Sequence, residues 1–178
     1  MYVLSVFVIH PSSANCYSHQ LGSAHPDAFT AQLSHGLLTH SRSLSRVLAV
    51  EYRLAAAAPD TPKNHYPAAL LDCVAAYRYL VKELAFVPAN ITILGDSAGG
   101  NLAFATTRHL VENSIPGLPP PGRLLSCSPW LDVGASRSGP NDPRVRNRHS
   151  DVLGSRTNYP HRAYLGPLFE TEDMKTNP

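Results

Sequence analysis

The sequence predicts an α/β fold of three layers, in which helices cover both faces of a mainly parallel sheet. Apolar runs rich in β-branched residues alternate along the chain with segments whose apolar residues recur at helical spacing. The first run, residues 3–9, shows little alternation of apolar and polar residues, which is typical of a strand covered on both faces. Because parallel strands need crossover connections, this strand–helix–strand order predicts a parallel sheet covered by its own helices.

Four strands and three helices are expected before residue 131. The strands are predicted at residues 3–9, 46–52, 91–94 and 124–130, and the helices at residues 27–40, 67–87 and 98–112. Asp27 is a candidate N-cap, Pro67 suits a first helical turn, and the proline run that begins at Pro116 ends the third helix.

Length and composition predict one domain over residues 1–178, with a core at about residues 3–131. A chain of 178 residues is long enough for one domain and too short for two ordinary ones. Hydrophobic residues make up 43% of the chain and charged residues 16%, as in globular proteins. Residues 132–178 are rich in Gly, Pro, Asn, Ser and Arg, so they predict only a weak helix or loop.

Charge and cysteine usage exclude several classes of function. A net charge of +2 provides no strong field for phosphate backbones, so nucleic-acid binding is not expected. The cysteines, Cys16, Cys73 and Cys127, are odd in number and widely spaced, which predicts neither a disulfide framework nor a zinc site. A reducing, cytoplasmic compartment is therefore expected. The apolar run at residues 3–9 is far too short for a membrane span.

A candidate nucleophile lies at Ser97, inside the sequence Gly95-Asp96-Ser97-Ala98-Gly99. This matches the GxSxG pattern of a nucleophile elbow and stands between an apolar strand and a helical segment, as such an elbow requires. The serine has to sit on a strained turn, where glycines avoid collisions across the turn. At the helix N-terminus the Ala98 N–H can stabilise a developing oxyanion. The elbow prediction also includes Gly100.

Four stretches of sequence resemble motifs of the hormone-sensitive-lipase-like branch of the α/β-hydrolases. Their order and spacing together are more specific than any one of them, and the resemblance runs from about residue 3 to residue 167. They are Glu51-Tyr52-Arg53-Leu54-Ala55, similar to YRLAP; Tyr66-Pro67-Ala68-Ala69-Leu70 with Asp72, similar to FPAAxxD; Gly95 to Ala103, similar to GDSAGGNLA; and Ser126 to Asp132, similar to SPWxD. The resemblance implies a partial α/β-hydrolase fold.

The same resemblance implies hydrolysis of small to medium acyl esters or related amides, with no cofactor and no metal. Ser97 would attack the substrate carbonyl, and the Ala98 N–H would hold the oxyanion. Gly95, Asp96, Gly99 and Gly100 would form the elbow. The oligomeric state is left open by the sequence.

Two departures from the family predict impaired catalysis. Where the family has His-Gly-Gly-Gly, this chain has His10-Pro11-Ser12-Ser13, a degenerate oxyanion loop that lacks the glycine conformations and, at Pro11, an N–H. Losing one oxyanion donor costs about 10²- to 10³-fold in rate. The triad acid and histidine, which follow the serine in this fold, are also not recognisable. The resemblance further implies that the chain is truncated at both ends.

The remaining histidines are not expected to act as the base. His109 lies too far along the same helix from Ser97, about 18 Å at 1.5 Å per residue, and His149 and His161 are interpreted as surface residues. The alternatives are a catalytically inactive binding or interaction protein with the hydrolase fold, and a truncated gene product. A nucleotide-binding protein is disfavoured, since Gly95 to Gly100 has neither the Lys of a P-loop nor GxGxxG spacing.

Overall fold

One parallel sheet of four strands organises the chain in the computed structural model, which describes residues 4–9, 31–133, 143–147, 149–150 and 159–170. The strands are β1 (Leu4–Ile9), β2 (Leu44–Val50), β3 (Ile91–Asp96) and β4 (Arg123–Cys127). Their spatial order is β2–β1–β3–β4, and all three pairs are parallel. The predicted parallel sheet is confirmed, and β2 and β4 are its outer strands within the described part of the chain.

Helices connect these strands and also follow the last of them. They are α1 (Ala31–His40), α2 (Ala68–Arg78), which continues as a π-helical turn (Tyr79–Glu83), a 3₁₀ turn (Pro88–Asn90), α3 (Ala98–Asn113), α4 (Pro143–Arg146), α5 (Tyr159–Leu165) and a final 3₁₀ turn (Gly166–Glu170). The candidate cap Asp27 and the start of the first predicted helix lie outside the described residues. No helix in the described ranges is long and apolar enough to cross a membrane.

The helices cover opposite faces of the sheet. Leu37 of α1 packs against Leu44 of β2 and Leu94 of β3. The neighbouring residue Gly95 points to the other face, because side chains alternate along a strand, and there it meets the backbone of Gly99 in α3. The sheet is thus sandwiched between α1 and α3, which confirms the predicted three-layer αβα arrangement.

The strand β3 and two of the helices, α2 and α3, carry fully buried side chains. Ile91 and Ile93 of β3 are fully buried, as are Tyr77 of α2 and Leu110 of α3. Tyr77 also donates a hydrogen bond from its hydroxyl to the Pro119 carbonyl at 2.8 Å, so its polar end is satisfied inside the core. Since β3 leads directly to Ser97, the candidate site follows a deeply buried strand.

Several strand boundaries differ from the prediction: β2 lies two residues earlier than the predicted 46–52, and β3 extends two residues beyond the predicted 91–94. The fourth strand was expected to run to Trp130, but β4 ends at Cys127. Ser128 adopts a left-handed φ of 40°, which no strand residue has, and the chain turns there.

Backbone contacts divide the chain into two units. One comprises residues 1–53 and 68–130 and holds the sheet; the other comprises residues 54–67 and 131–178. Within the second unit, the His65 Nδ1 lies 2.7 Å from the Ala163 carbonyl oxygen, and the Tyr66 N–H donates to the Tyr164 carbonyl. These bonds fasten α5 to the 54–67 segment. The single domain over residues 1–178 remains a prediction.

Candidate active site

Ser97 forms the sharp reversal between β3 and α3. β3 ends at Asp96 and α3 begins at Ala98, so a single residue makes the turn. Its φ of 54° and ψ of −117° lie in a sparsely populated region for a residue with a side chain. Ser97 is half-buried, and among the described residues its hydroxyl has no hydrogen-bond partner. The strand–turn–helix geometry predicted around Ser97 is therefore present.

Two glycines make this reversal sterically possible. A Cβ at position 95 would overlap the carbonyl group of Gly99 and lie 2.8 Å from the Gly100 nitrogen. A Cβ at position 100 would lie 2.9 Å from the Pro129 Cβ. Gly95 is hemmed in by backbone atoms, which cannot move aside as a flexible side chain can. Glycine is thus favoured at positions 95 and 100 because other parts of the chain approach the backbone closely there.

The N-terminus of α3 supplies donors beside Ser97. The Asn101 N–H closes the first helical turn on the Ser97 carbonyl at 3.1 Å, which leaves the earlier amides of the helix without an intrahelical acceptor. In the described part of the chain, no acceptor is found for the Ala98 N–H. Together with the positive end of the helix dipole, it can stabilise negative charge next to the Ser97 hydroxyl.

The site lies where the strand order changes direction. β1 is flanked by β2 and β3, so the connections that follow β1 and β3 leave the sheet in opposite directions, and in open α/β sheets ligands bind at such a point. Ile9 at the end of β1 pairs in register with Gly95. The predicted degenerate oxyanion loop, His10, Pro11, Ser12 and Ser13, follows β1 directly but lies outside the described residues.

The end of β4 contacts the backbone of Ser97 from the neighbouring strand. The Ser97 N–H donates to the Cys127 carbonyl at 3.0 Å, and the Trp130 N–H donates to the Ser97 carbonyl at 3.0 Å. These contacts were not predicted from the sequence, although the stretch from Ser126 to Asp132 resembles a motif of the family. Main-chain hydrogen bonds between distant segments leave no signal in residue type, apart from the proline and small residues of a turn.

The histidines are placed as follows. His109 lies on α3, where its Nδ1 is 3.1 Å from the Asn113 side-chain nitrogen, and His149 is exposed. The interpretation of His161 as a surface residue was wrong. It lies in α5, is buried, and its Nδ1 is 2.7 Å from the Val133 carbonyl. Because a carbonyl oxygen only accepts, this nitrogen carries the proton, which satisfies the ring inside the second unit.

An ion pair joins two of the sequence motifs. The Arg53 guanidinium forms a forked pair with the Asp72 carboxylate, at 2.8 Å for the shortest contact, and the Arg53 N–H also donates to Asp72 at 2.8 Å. A further bond from Arg53 reaches the Ala68 carbonyl in the first turn of α2. Burial acts to raise the pKa of Asp72, but the hydrogen bonds and charge of Arg53 outweigh it and the pKa lies below its usual value.

The described residues contain no group of three or more His, Cys, Asp or Glu that could hold a metal ion. The chemistry that this site can perform with its own groups is nucleophilic attack by the Ser97 hydroxyl, with charge stabilisation by amides at the start of α3.

A family model described as alpha/beta hydrolase fold matches residues 22–178 of the chain. Among curated relatives, a triacylglycerol lipase of Mycobacterium tuberculosis is 36% identical over 88 residues, which is 45% of this chain and 20% of that protein. An acetyl-hydrolase of Streptomyces hygroscopicus is 40% identical over 95 residues, which is 52% of this chain and 28% of that protein.

Solved structures show the same relationship. A crystal structure of EstE7, a homologue of hormone-sensitive lipase from a metagenome library, matches 92% of this chain and 49% of its own with a TM-score of 0.63 and 29% identity. The chain thus spans about half the length of this relative. The chain belongs to the α/β-hydrolase family, in its hormone-sensitive-lipase-like branch.

Proposed function

We propose that the chain acts on carboxylic esters as a serine hydrolase, with Ser97 as the nucleophile. The single observation that carries this proposal is the conformation of Ser97, whose φ is 54° in a one-residue turn between β3 and α3. A strained backbone persists only where the surrounding structure holds it, and such positions cluster at active sites. Ser114 and Ser128 also have a positive φ, but neither joins a strand directly to a helix.

In the proposed reaction, the Ser97 Oγ attacks the carbonyl carbon of the ester and its proton passes to a base. The carbonyl oxygen becomes negatively charged beside the Ala98 N–H and the positive end of α3, which stabilise it. Collapse of this intermediate expels the alcohol and leaves an acyl-Ser97 ester, which water then hydrolyses. In this fold the base is a histidine later in the chain, held by an acid; neither is recognisable in the sequence.

We further propose small to medium acyl esters as the substrate class. The relatives named above are a lipase and an acetyl-hydrolase, and both names denote cleavage of acyl groups. The sequence His10-Pro11-Ser12-Ser13 offers fewer well-placed oxyanion donors than a glycine loop does, so the turnover rate is expected to be low. The expected low rate makes a single-turnover measurement more informative than a steady-state one.

A burst experiment tests this proposal. With p-nitrophenyl butyrate, acylation of Ser97 releases p-nitrophenol in a burst equal to the enzyme concentration, because acylation precedes the slower hydrolysis. Ser97→Ala is expected to abolish the burst, since the alanine has no nucleophile. The matched control is Ser114→Ala, which removes a serine of similarly positive φ, 44°, at the other end of α3.

The control should retain the burst. A burst that survives in Ser97→Ala, or that disappears equally in both variants, would show that the signal does not report on Ser97. A parent protein that shows no burst would contradict the proposal and favour a binding protein that keeps the hydrolase fold.

A further inference from the structure

The short segment from Cys127 to Trp130, here called the β4 turn, touches Ser97 on both sides of its α-carbon. The Cys127 carbonyl accepts the N–H of Ser97, and the Trp130 N–H donates to the carbonyl of Ser97. One bond restrains the peptide group before the α-carbon, which sets φ, and the other restrains the group after it, which sets ψ. These are the only two soft torsions of the residue.

The two ends of the β4 turn bond to Ser97 and not to each other. Cys127 and Trp130 occupy positions i and i+3 of the turn. In a β-turn, the N–H of residue i+3 commonly donates a hydrogen bond to the carbonyl of residue i. Here the Cys127 carbonyl and the Trp130 N–H bond instead to the two peptide groups of Ser97, each at 3.0 Å. The two hydrogen bonds to the backbone of Ser97 therefore replace the hydrogen bond that would join Cys127 and Trp130 within the turn.

Two features of the turn give it this shape. Ser128 has a φ of 40°, which reverses the chain directly after β4 so that Cys127 and Trp130 face the same residue. Pro129 packs against Gly100, so closely that a Cβ on Gly100 would meet it at 2.9 Å. This contact seats the turn on the first turn of α3, next to Ser97.

We propose that the β4 turn is a positioning device for the nucleophile, in which the Trp130 N–H and the left-handed conformation of Ser128 hold Ser97 in its strained conformation. Strain of this kind relaxes unless the surroundings over-determine it. The helix supplies one restraint, through Asn101 N–H, and the β4 turn supplies the other two. The catalytic consequence rests on the proposed function, whereas the restraint on the backbone does not.

A pair of variants isolates the Trp130 N–H. Trp130→Pro removes both the indole and the N–H, while Trp130→Ala removes the indole and keeps the N–H. Without the bond, Ser97 should sample relaxed conformations in which its Oγ is misaligned. Relative to Trp130→Ala, the proline variant should show faster hydrogen exchange in the peptide covering residues 95–101 and an acylation rate lower by about tenfold, the scale of one backbone hydrogen bond. The dissociation constant of the ester, taken from the concentration dependence of the burst rate, should be the same in both variants, because substrate contacts are unaltered.

A second pair tests the turn if Trp130→Pro fails to fold. Valine strongly disfavours a φ of 40° and glycine accepts it readily, so Ser128→Val should exchange faster at residues 95–101 and acylate more slowly than Ser128→Gly. Equal exchange and equal acylation rates within both pairs would overturn the proposal. If no variant and no parent protein is acylated, the proposed function fails, and the exchange rates alone still decide whether the β4 turn restrains Ser97.

Discussion

At the scale of single residues, Ser97 shows how much of the site depends on its neighbours. A non-glycine residue in a sparsely populated region of φ/ψ space costs of order 1–3 kcal/mol, which the fold must offset by contacts around it. Gly95 and Gly100 permit the close approach of the chain, and the β4 turn bonds the strained peptide groups. The site is therefore sensitive to changes that add even one methyl group.

Gly95→Ala tests the close approach directly. The added Cβ overlaps the carbonyl group of Gly99, a backbone contact that is relieved only by displacing α3. We expect a loss of about 1–3 kcal/mol in the free energy of unfolding, the usual cost of overpacking, measured by urea denaturation. The control is Gly36→Ala in α1, where a Cβ has no neighbour within 4 Å and alanine favours the helix. Equal losses in the two variants would refute the steric account.

The two described cysteines should differ sharply in reactivity. Burial raises the pKa of the Cys73 thiol to about 12, so at pH 8 almost none of it is the reactive thiolate. Cys127, in β4, is exposed. Alkylation with iodoacetamide at pH 8, followed by peptide mass mapping, should modify Cys127 in the folded protein and Cys73 only after denaturation. Rapid modification of Cys73 in the folded state would contradict its placement in the core.

At the scale of elements, the Arg53–Asp72 pair fixes the start of α2 to the end of the β2 segment. It joins residues far apart in sequence through a forked geometry, and Arg53 adds a bond to the Ala68 carbonyl. Exposed ion pairs usually contribute little. This pair differs because the backbone N–H of Arg53 also donates to the carboxylate, so the contact positions main chain as well as side chain.

The pH dependence of Asp72→Asn measures this contribution. Since the pKa of Asp72 is lowered in the folded protein, its ionised form stabilises the fold above the unfolded-state pKa, about 4, and the stabilisation is lost as the pH falls through the folded-state value. Asp72→Asn should lower the urea midpoint at pH 7, and the difference should shrink below about pH 4.

Glu83→Gln is the control for an exposed pair, since Glu83 contacts Arg78 at 3.4 Å with both side chains largely in solvent. It should change the midpoint little at either pH. An Asp72→Asn effect of the same size at neutral and acidic pH would show that the charge of Asp72 is not its cause.

At the scale of the whole molecule, the sequence predicts the features that depend on residues close together in the chain. The four strands, the three main helices and the elbow at Ser97 follow from runs of adjacent residues, and the proposed nucleophile and the proposed oxyanion donor, Ala98, are neighbours in the chain. Parallel pairing also follows, because alternating strands and helices have few other ways to pack.

Features that depend on distant contacts were missed. The aromatic and apolar character of Trp130 favoured a strand up to that residue, but Ser128 turns the chain because its neighbours bond to Ser97 instead of extending β4. His161 was placed at the surface because seven helical residues, Tyr159–Leu165, are too few to reveal a buried face amid polar sequence. Its burial depends on tertiary packing in the second unit, which no local pattern encodes.

Covalent labelling tests the central claim, that the fold presents the Ser97 hydroxyl as a nucleophile. The purified chain is treated with a fluorophosphonate, folded and after denaturation in urea, and its peptides are mapped by mass spectrometry. We expect one adduct, on Ser97, in the folded protein only, because the reactivity comes from the elbow and not from serine itself. An adduct that forms equally in the denatured chain, or on another residue while Ser97 stays unmodified, would contradict it.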